Sequence, residues 1–161
     1  MLLCGRPFSG KSTLAAMLGA RLGAAIVSLD AINLERGLHG GDGLPTEEWA
    51  RTFEIGKERT VALLRVSRDV VVDDTLCFRW MRDAFRELAR EAGACPVLLY
   101  LDAAEAVRRE RMAINDRTKE RRGIADSVLA EHLATFEPPG KDEDPIVLGA
   151  AEEIEAWLAA C

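Results

Sequence analysis

Several patterns that identify common protein classes are missing from this 161-residue sequence. Its four cysteines are scattered without a C-x-x-C pair, which argues against a zinc site or a disulfide framework and favours the reducing cytoplasm. No apolar run approaches the roughly 18 residues that a membrane-spanning helix requires. The N-terminal stretch also lacks the uninterrupted apolar region of a signal peptide, so we expect a protein that is not exported.

An excess of basic residues is missing as well, because the net charge at pH 7 is −6. This balance argues against a protein that coats nucleic acid, since binding to the phosphate backbone requires a basic face. The two histidines, His39 and His132, form no triad or metal cluster, and His132 is expected on a helix surface. Because no internal repeat or long linker divides the chain, residues 1–161 are expected to form one domain.

The most specific motif lies near the N-terminus, where residues 5–12 match the G-x-x-x-x-G-K-[ST] phosphate loop without a mismatch. A short apolar run at 1–4 precedes the motif and a helical pattern at 12–22 follows it, which is the order that this loop requires. Backbone N–H groups in such a loop form a nest for phosphate oxygens. The residues expected to bind the nucleotide are Gly5, Arg6, Pro7, Phe8, Ser9, Gly10, Lys11, Ser12 and Thr13. We expect Lys11 to reach the β- and γ-phosphates of ATP and Ser12 to hold Mg²⁺.

The rest of the chain alternates between apolar runs and helical patterns. Further strands are predicted at 24–29, 70–72, 95–101 and 145–148. Helices are predicted at 46–66, at 78–92 and at 151–160. The first has Thr46 as the N-cap and an apolar stripe of Trp49, Phe53, Val61 and Leu64. In the second, Trp80, Met81, Phe85 and Leu88 are expected to face inward. This alternation predicts an α/β fold of the P-loop NTPase class, with three α/β/α layers and helices flanking a five-stranded parallel sheet.

Nucleotide binding alone does not separate a kinase from a GTPase or an ATP-driven machine. The sequence has no N-K-x-D segment for guanine recognition, and its length leaves little room for the added modules of an ATP-driven machine. A small kinase needs a carboxylate that orients or deprotonates the incoming hydroxyl, and arginines that balance charge on the transferred phosphoryl group.

Asp30 is the first candidate for this carboxylate, because it ends the second predicted strand at the ligand-binding edge of the sheet. A helix N-cap is the structural alternative for Asp30. Asp73 and Asp74 follow the third predicted strand, where one of them, Asp73 first, is expected to support Mg²⁺ and the other to face the acceptor. Solvated carboxylates in a strand-end turn are the alternative for this pair.

An arginine-rich segment at about 108–124 is predicted to be a lid over the phosphates. Residues 104–122 contain seven basic and four acidic side chains, a net charge of +3 in an acidic protein. Arg117 is the first candidate to contact the transferred phosphoryl group, and Arg109 and Arg111 follow. The alternative for any one of these arginines is a solvated helix face with i,i+4 ion pairs. The glycine-dense segment 36–45, which contains His39, is expected to be an acceptor-binding loop.

These residues together resemble the small P-loop kinase group of AAA-type kinases, which includes polynucleotide 5′-kinase modules, chloramphenicol phosphotransferase and zeta-toxin-like kinases. The resemblance is carried by GRPFSGKST at 5–13, by Asp30 in SLDAI, by VVVDDTLCFRWMRD at 70–83 and by the arginine-rich lid. It implies phosphorylation of a hydroxyl by ATP, with Asp30 as base, lid arginines at the phosphoryl group and adenine near 138–149.

One departure from this group concerns the acceptor. Polynucleotide kinases carry a run similar to SRDDYR at the second strand, whereas this chain has SLDAINLER, so that Arg36 is the nearest arginine. Together with the acidic charge, this difference favours a small-molecule hydroxyl over a nucleic-acid 5′ end. A nucleotide-dependent switch without a phosphoryl acceptor is the alternative of another class.

Overall fold

The computed structural model describes residues 1–120 and 123–160, and its centre is a five-stranded parallel sheet. The strand order is β2-β3-β1-β4-β5. The strands are β1 (Leu2–Cys4), β2 (Ala25–Ser28), β3 (Val70–Asp73), β4 (Leu98–Leu101) and β5 (Ile146–Leu148). This sheet confirms the α/β class and the strand number expected from the sequence.

Seven α-helices occur within the described ranges. They are α1 (Lys11–Leu22), α2 (Leu29–Glu35), α3 (Thr46–Arg65), α4 (Arg79–Glu91), α5 (Glu105–Thr118), α6 (Asp126–Thr135) and α7 (Ala151–Ala160). No helix in 1–120 or 123–160 is long and apolar enough to cross a membrane. Short 3₁₀ turns occur at Gly40–Asp42 and Lys141–Glu143.

Two apolar cores lie on opposite faces of the sheet, because successive strand residues point to opposite sides. Leu2 and Val72 pack with α2, α3 and α4 through side chains such as Phe53 and Phe85. Leu3 and its neighbours on that face pack with α1 and α7. The result is the predicted three-layer arrangement.

The register of the sheet brings three strand ends to one edge. Leu3 pairs with Asp73, and Ser28 pairs with Asp73 from the other side. The phosphate loop after β1, the start of α2 after β2 and the Asp73–Asp74 turn after β3 are therefore neighbours. The N–H of Gly5 extends this pairing by donating to the carbonyl of Thr75 at 3.2 Å.

Asp30 lies in a different element from the one predicted. β2 ends at Ser28, and Asp30 lies in the first turn of α2 instead of ending the strand. The N-cap is Ser28, whose hydroxyl accepts from the N–H of Ala31 at 3.3 Å. Asp30 is therefore not the N-cap, and its exposed carboxylate stays available at the edge of the sheet.

Two further predictions about helices were wrong in detail. Thr46 is the first helical residue of α3, and Pro45 occupies the N-cap position. Trp80 does not face inward, since it is 59% exposed. Helix α4 instead buries Met81, Arg82 and Phe85, and its periodicity leaves Trp80 on the flank, edge-on to Phe53.

A buried ion pair attaches the segment before β5 to the end of β3. Arg82 donates from Nε and Nη2 to the carboxylate of Glu143 at 2.6 and 2.8 Å, and both side chains are 1% exposed. Nη1 of Arg82 also donates to the carbonyls of Leu76 and Glu137, at 2.9 and 3.0 Å. The Gly140 N–H donates to Glu143 at 2.9 Å. This network fixes the chain between α6 and β5, part of the region in which adenine is expected.

Removing one member of this pair should destabilise the fold strongly. We expect Arg82→Met to lower the free energy of unfolding by about 3–5 kcal/mol, because it leaves a buried carboxylate and two carbonyls without their partner. Arg79→Met is the matched control, since Arg79 lies on the same helix in an exposed pair with Asp142. Urea denaturation of both variants measures the difference. Equal losses in the two variants would contradict a dominant role for the buried pair.

Candidate functional site

The carboxyl ends of β1, β2 and β3 border a cleft of about 420 Å³. One half is lined by the phosphate loop and the turn after β3, including Lys11, Ser12, Asp73 and Asp74. The other half is lined by α2, the glycine-dense loop, the start of α3, and α6 with the segment before it. Lys11, Ser12, Asp30, Asp73 and Asp74 thus share one cavity, whereas the predicted arginines Arg109, Arg111 and Arg117 are not among its lining residues.

The phosphate loop needs glycine at both ends of its motif. Gly5 has φ +155° and Gly10 has φ +104°, conformations that other residues rarely adopt. A Cβ on Gly5 would lie 2.7 Å from the carbonyl oxygen of Leu101, closer than packed atoms approach. Gly10 precedes Lys11, the first residue of α1, so the positive N-terminal end of this helix faces the cleft.

Not every residue of the predicted nucleotide site lies on the cleft. Pro7, Phe8, Gly10, Lys11 and Ser12 line it. Thr13 is exposed on α1, and Gly5 is buried beneath the loop. The Ser9 hydroxyl is buried, with no hydrogen-bond partner among the described residues.

Arg6 does not line the cleft, and its side chain reaches the end of β4. Its guanidinium lies 4.5 Å from the Phe136 ring centroid, and Nη1 donates to the Tyr100 hydroxyl at 3.3 Å. The Tyr100 hydroxyl in turn donates to Asp102 at 2.8 Å. Arg6 therefore anchors the loop to the sheet in this structure.

Lys11 is the buried cation of the site, with 8% of its surface exposed. Its Nζ donates to the carbonyls of Gly5 and Arg6 at 2.9 and 3.0 Å. Burial lowers the pKa of Lys11, and the nearby charges of Asp74 and Asp73 oppose that shift. The ammonium group is thus held at the loop where phosphate oxygens can replace its carbonyl partners.

Asp73 and Asp74 are each 8% exposed at the end of β3. Asp74 Oδ1 accepts from the N–H of Leu76 at 2.9 Å. Burial raises the pKa of Asp74 to about 7, against the lowering effect of the Leu76 hydrogen bond and Lys11. The pair is therefore buried beside the phosphate loop, unlike the solvated strand-end turn of the alternative interpretation.

Magnesium fits this donor set in the manner of a P-loop protein. The Ser12 hydroxyl and the two aspartates line the same cleft and are oxygen ligands, which Mg²⁺ prefers. No group of three or more histidine, cysteine, aspartate or glutamate residues in the described chain forms a metal cage. The ion would therefore depend on phosphate oxygens and water for most of its coordination.

The three arginines proposed for the phosphoryl group differ in their surroundings. Arg111 donates from Nη1 to the carbonyls of Phe8 and Ser9 at 3.1 and 2.8 Å, so α5 contacts the phosphate loop directly. Arg109 forms an i,i+4 pair with Glu105, and its side chain is 74% exposed. Arg117 is exposed in the last turn of α5. Two more basic residues of the predicted lid, Arg121 and Arg122, lie outside the described residues.

Two cleft residues were assigned other places from the sequence. Trp49 belongs to the predicted apolar stripe of α3, and His132 was expected on a helix surface. Both line the cleft, and their ring centroids are 6.4 Å apart. Burial lowers the pKa of His132, and the charges of Glu131 and Asp30 oppose the shift. No local sequence signal distinguishes a ring that faces a cleft from one that faces a core.

Residues 1–139 match the family model described as an AAA domain. The chain belongs to this family. No curated protein matches it.

Several solved structures similar to this AAA domain are kinases. A gluconokinase from Sinorhizobium meliloti 1021 is 23% identical with a TM-score of 0.70, and the match covers 99% of this chain and 90% of that chain. A sugar kinase from Janibacter sp. HTCC2649 is 25% identical with a TM-score of 0.70, covering 98% and 91%. The APS kinase CysC of Mycobacterium tuberculosis, in complex with AMPPNP and APS, is 15% identical with a TM-score of 0.66, covering 99% and 93%. The family and these folds confirm the small P-loop kinase group.

Arg111 should matter for nucleotide binding more than its exposed neighbour on α5. We expect Arg111→Ala to weaken MgATP binding by about tenfold, because the carbonyls of Phe8 and Ser9 lose the cation that holds the loop backbone. Arg109→Ala should change the affinity by less than about twofold, since its ion pair is exposed. Isothermal titration calorimetry with AMPPNP and Mg²⁺ compares the two variants. Indistinguishable affinities would contradict this role for Arg111.

The raised pKa of Asp74 predicts a pH dependence of stability in the metal-free protein. Between the ordinary value of 3.8 and about 7, the native carboxyl retains a proton that the unfolded chain has lost. The contribution of Asp74 to the free energy of unfolding should therefore fall as pH rises through this window. Asp74→Asn removes the titration, so the wild type should lose stability relative to this variant as pH rises. Urea denaturation at each pH measures both proteins. A difference in their free energies of unfolding that stays constant from pH 4 to pH 8 would contradict the shift.

Proposed function

We propose that the protein is an ATP-dependent kinase that transfers the γ-phosphoryl group of MgATP to a hydroxyl of a small molecule. The observation that carries this proposal is one cleft with a phosphate loop in one half and the Asp30 carboxylate at its acceptor side. The kinases with similar folds include a gluconokinase and a sugar kinase, which is in line with an alcohol as the acceptor. The cytoplasmic setting expected from the sequence stays a prediction.

The proposed reaction assigns one task to each group. The acceptor oxygen bonds to the γ-phosphorus as its proton passes to the Asp30 carboxylate, and the bond from this phosphorus to the bridging oxygen of ADP breaks. Lys11 would stabilise charge on the phosphate oxygens, as would Arg111 if it exchanges its loop carbonyls for phosphate. Ser12, Asp73 and Asp74 would hold Mg²⁺, which supplies further neutralisation of phosphate charge.

The contacts of Arg36 favour a small molecule over a nucleic-acid end. Arg36 is the arginine that follows Asp30 most closely, and it is bound to the carbonyl and carboxylate of Glu48 and to the Thr52 hydroxyl. Its guanidinium is thus directed into α3 and is not presented to a ligand phosphate. The acceptor half of the described lining also contains the Asp30 carboxylate and no lysine or arginine, which disfavours a polyanion as the acceptor.

The role of Asp30 can be separated from nucleotide binding. We expect Asp30→Asn to lower the rate of phosphoryl transfer by about 10²–10⁴-fold, because the amide cannot accept the proton, while ATP affinity changes only a few-fold. Asp69→Asn is the control, since Asp69 is exposed just before β3, at the opposite edge of the sheet. Undiminished turnover by Asp30→Asn would remove Asp30 as the base.

A mass-spectrometric screen tests the function itself. Metabolites, antibiotics and 5′-hydroxyl oligonucleotides are incubated with the protein and MgATP, and the gain of one phosphoryl group is measured. A small-molecule product supports the proposal. Transfer to oligonucleotides that weakens steeply with salt would favour a nucleic-acid end kinase. Absence of any acceptor, with a partner captured only in the ATP state, would favour a switch.

A further inference from the structure

The half of the cleft away from the phosphate loop has a distinct chemical character. Its lining includes four apolar side chains and two imidazoles, from Leu34, Trp49, Ile124, Val128, His39 and His132. These residues come from α2, the glycine-dense loop, α3, α6 and the segment just before α6. Such a wall favours an apolar part of a ligand, with few directional polar contacts.

Gly40 shows how close this wall lies to Asp30. A Cβ added to Gly40 would lie 3.5 Å from Asp30 Oδ1 and 3.6 Å from Trp49 Cζ2. The carboxylate proposed as base and the indole ring therefore flank one small region of the cleft. A molecule whose hydroxyl meets Asp30 would place its neighbouring atoms against Trp49.

A buried hydrogen-bond donor points to the same region. Asn33 is fully buried, and its Oδ1 accepts from the Thr52 hydroxyl at 2.5 Å. The Thr52 oxygen accepts from Arg36 at 2.6 Å. Because a guanidinium can only donate, the Thr52 proton goes to Asn33, which fixes the amide with Nδ2 on the far side.

This Nδ2 lies 3.5 Å from the same Gly40 Cβ position. It has no hydrogen-bond partner among the described residues. Asn33 does not itself line the cleft, but Gly40 does and has no side chain to occupy the position 3.5 Å from this donor. Buried donors are normally paired, so a ligand oxygen at that position would complete the pairing of this N–H.

The glycine-dense loop and the segment just before α6 contact each other next to this region. The N–H of Ala125 donates to the carbonyl of Gly41 at 2.7 Å. A Cβ on Gly41 would lie 2.7 Å from the Gly123 carbonyl oxygen, which leaves no space for a side chain. This contact joins two of the segments that line the acceptor half.

The charges in the acceptor half of the described cleft disfavour an anion. Asp30 and Glu120 contribute carboxyl groups that have no part in holding Mg²⁺. Lys11, the one lysine or arginine in the described lining, lies in the other half at the phosphate loop, together with Asp73 and Asp74. An acceptor with its own carboxylate or phosphate would be repelled from the position next to Asp30.

We propose that this half of the cleft is an acceptor subsite for an uncharged hydroxyl compound with a flat apolar ring, which packs on Trp49 and accepts a hydrogen bond from Asn33. This inference rests on the proposed function, because it takes Asp30 as the group that meets the acceptor hydroxyl. Trp49 and Asn33 are then specificity-determining residues, and neither takes part in the transfer of the phosphoryl group.

Two matched pairs of probes test the ring and the charge separately. Phenyl β-D-glucopyranoside and methyl β-D-glucopyranoside share their hydroxyls and differ in the ring of the aglycone. Uridine and uridine 3′-phosphate share the 5′-hydroxyl and differ in charge. Binding of each probe at millimolar concentration is measured by saturation-transfer NMR in the presence of AMPPNP and Mg²⁺, and phosphoryl gain is measured with MgATP.

We expect the phenyl glucoside to bind at least about tenfold more tightly than the methyl glucoside, and uridine more tightly than its phosphate. Equal or reversed order in either pair would overturn the inference, as would failure of both neutral ring compounds to bind. If ring compounds bind in this order and none is phosphorylated, the subsite stands and the kinase proposal fails. If methyl glucoside or uridine 3′-phosphate is the preferred phosphoryl acceptor, the kinase proposal stands and the subsite fails.

Substitutions at Trp49 and Gly40 test whether the probes bind in this subsite. Trp49→Ala should raise the dissociation constant of the phenyl glucoside by about tenfold or more while the affinity for AMPPNP stays unchanged, and Trp49→Phe should restore part of the loss. Trp80→Ala is the control, because Trp80 is exposed on α4 and does not line the cleft. Gly40→Ala adds a methyl group at ordinary contact distance from Asp30, Asn33 and Trp49, so it should also block the probe. Unchanged probe binding in both Trp49→Ala and Gly40→Ala would overturn the inference.

Discussion

The parallel pairing of β1 with β3 is the constraint on which the site depends. It places Leu3 opposite Asp73, and the Gly5 N–H extends it to the carbonyl of Thr75. The phosphate loop therefore begins beside the turn that contains Asp73 and Asp74. Since β2 pairs with the other side of β3, Asp30 follows at the same edge. A shift of this register would separate the phosphate loop from Asp30.

The buried charges at this edge of the sheet lower the stability of the fold, and they leave polar groups there that can bind a ligand. Lys11 and Asp74 are both buried, and burial disfavours the charged form of each group. Their mutual attraction and hydrogen bonds to the loop backbone offset part of this penalty. The Arg82–Glu143 pair shows the contrasting solution, in which a buried cation has a bidentate partner and carbonyls for its remaining donor. Lys11 retains weaker partners that a phosphate group can replace.

Features set by short-range spacing could be predicted from the sequence. The phosphate loop, the alternation of strands and helices and the aspartates near strand ends were all recognisable, because each depends on neighbouring residues. The end of β2 was placed one residue late, because the Ser28 cap was not recognised as the start of α2. Trp80 was predicted to face inward because large aromatic side chains on a helix are usually buried, but it is 59% exposed. The sequence alone does not show which face of a helix packs against the rest of the protein.

The sequence by itself determined the phosphate loop, since glycine, lysine and serine at this spacing between a strand and a helix are typical of a backbone nest for phosphate. Only the tertiary structure decided that Arg111 contacts this loop while Arg109 stays in an exposed ion pair. It also decided that Trp49 and His132 face one cleft. The physical reason is distance along the chain: these contacts join segments more than 80 residues apart, and the side of a helix that meets them depends on how the whole sheet packs.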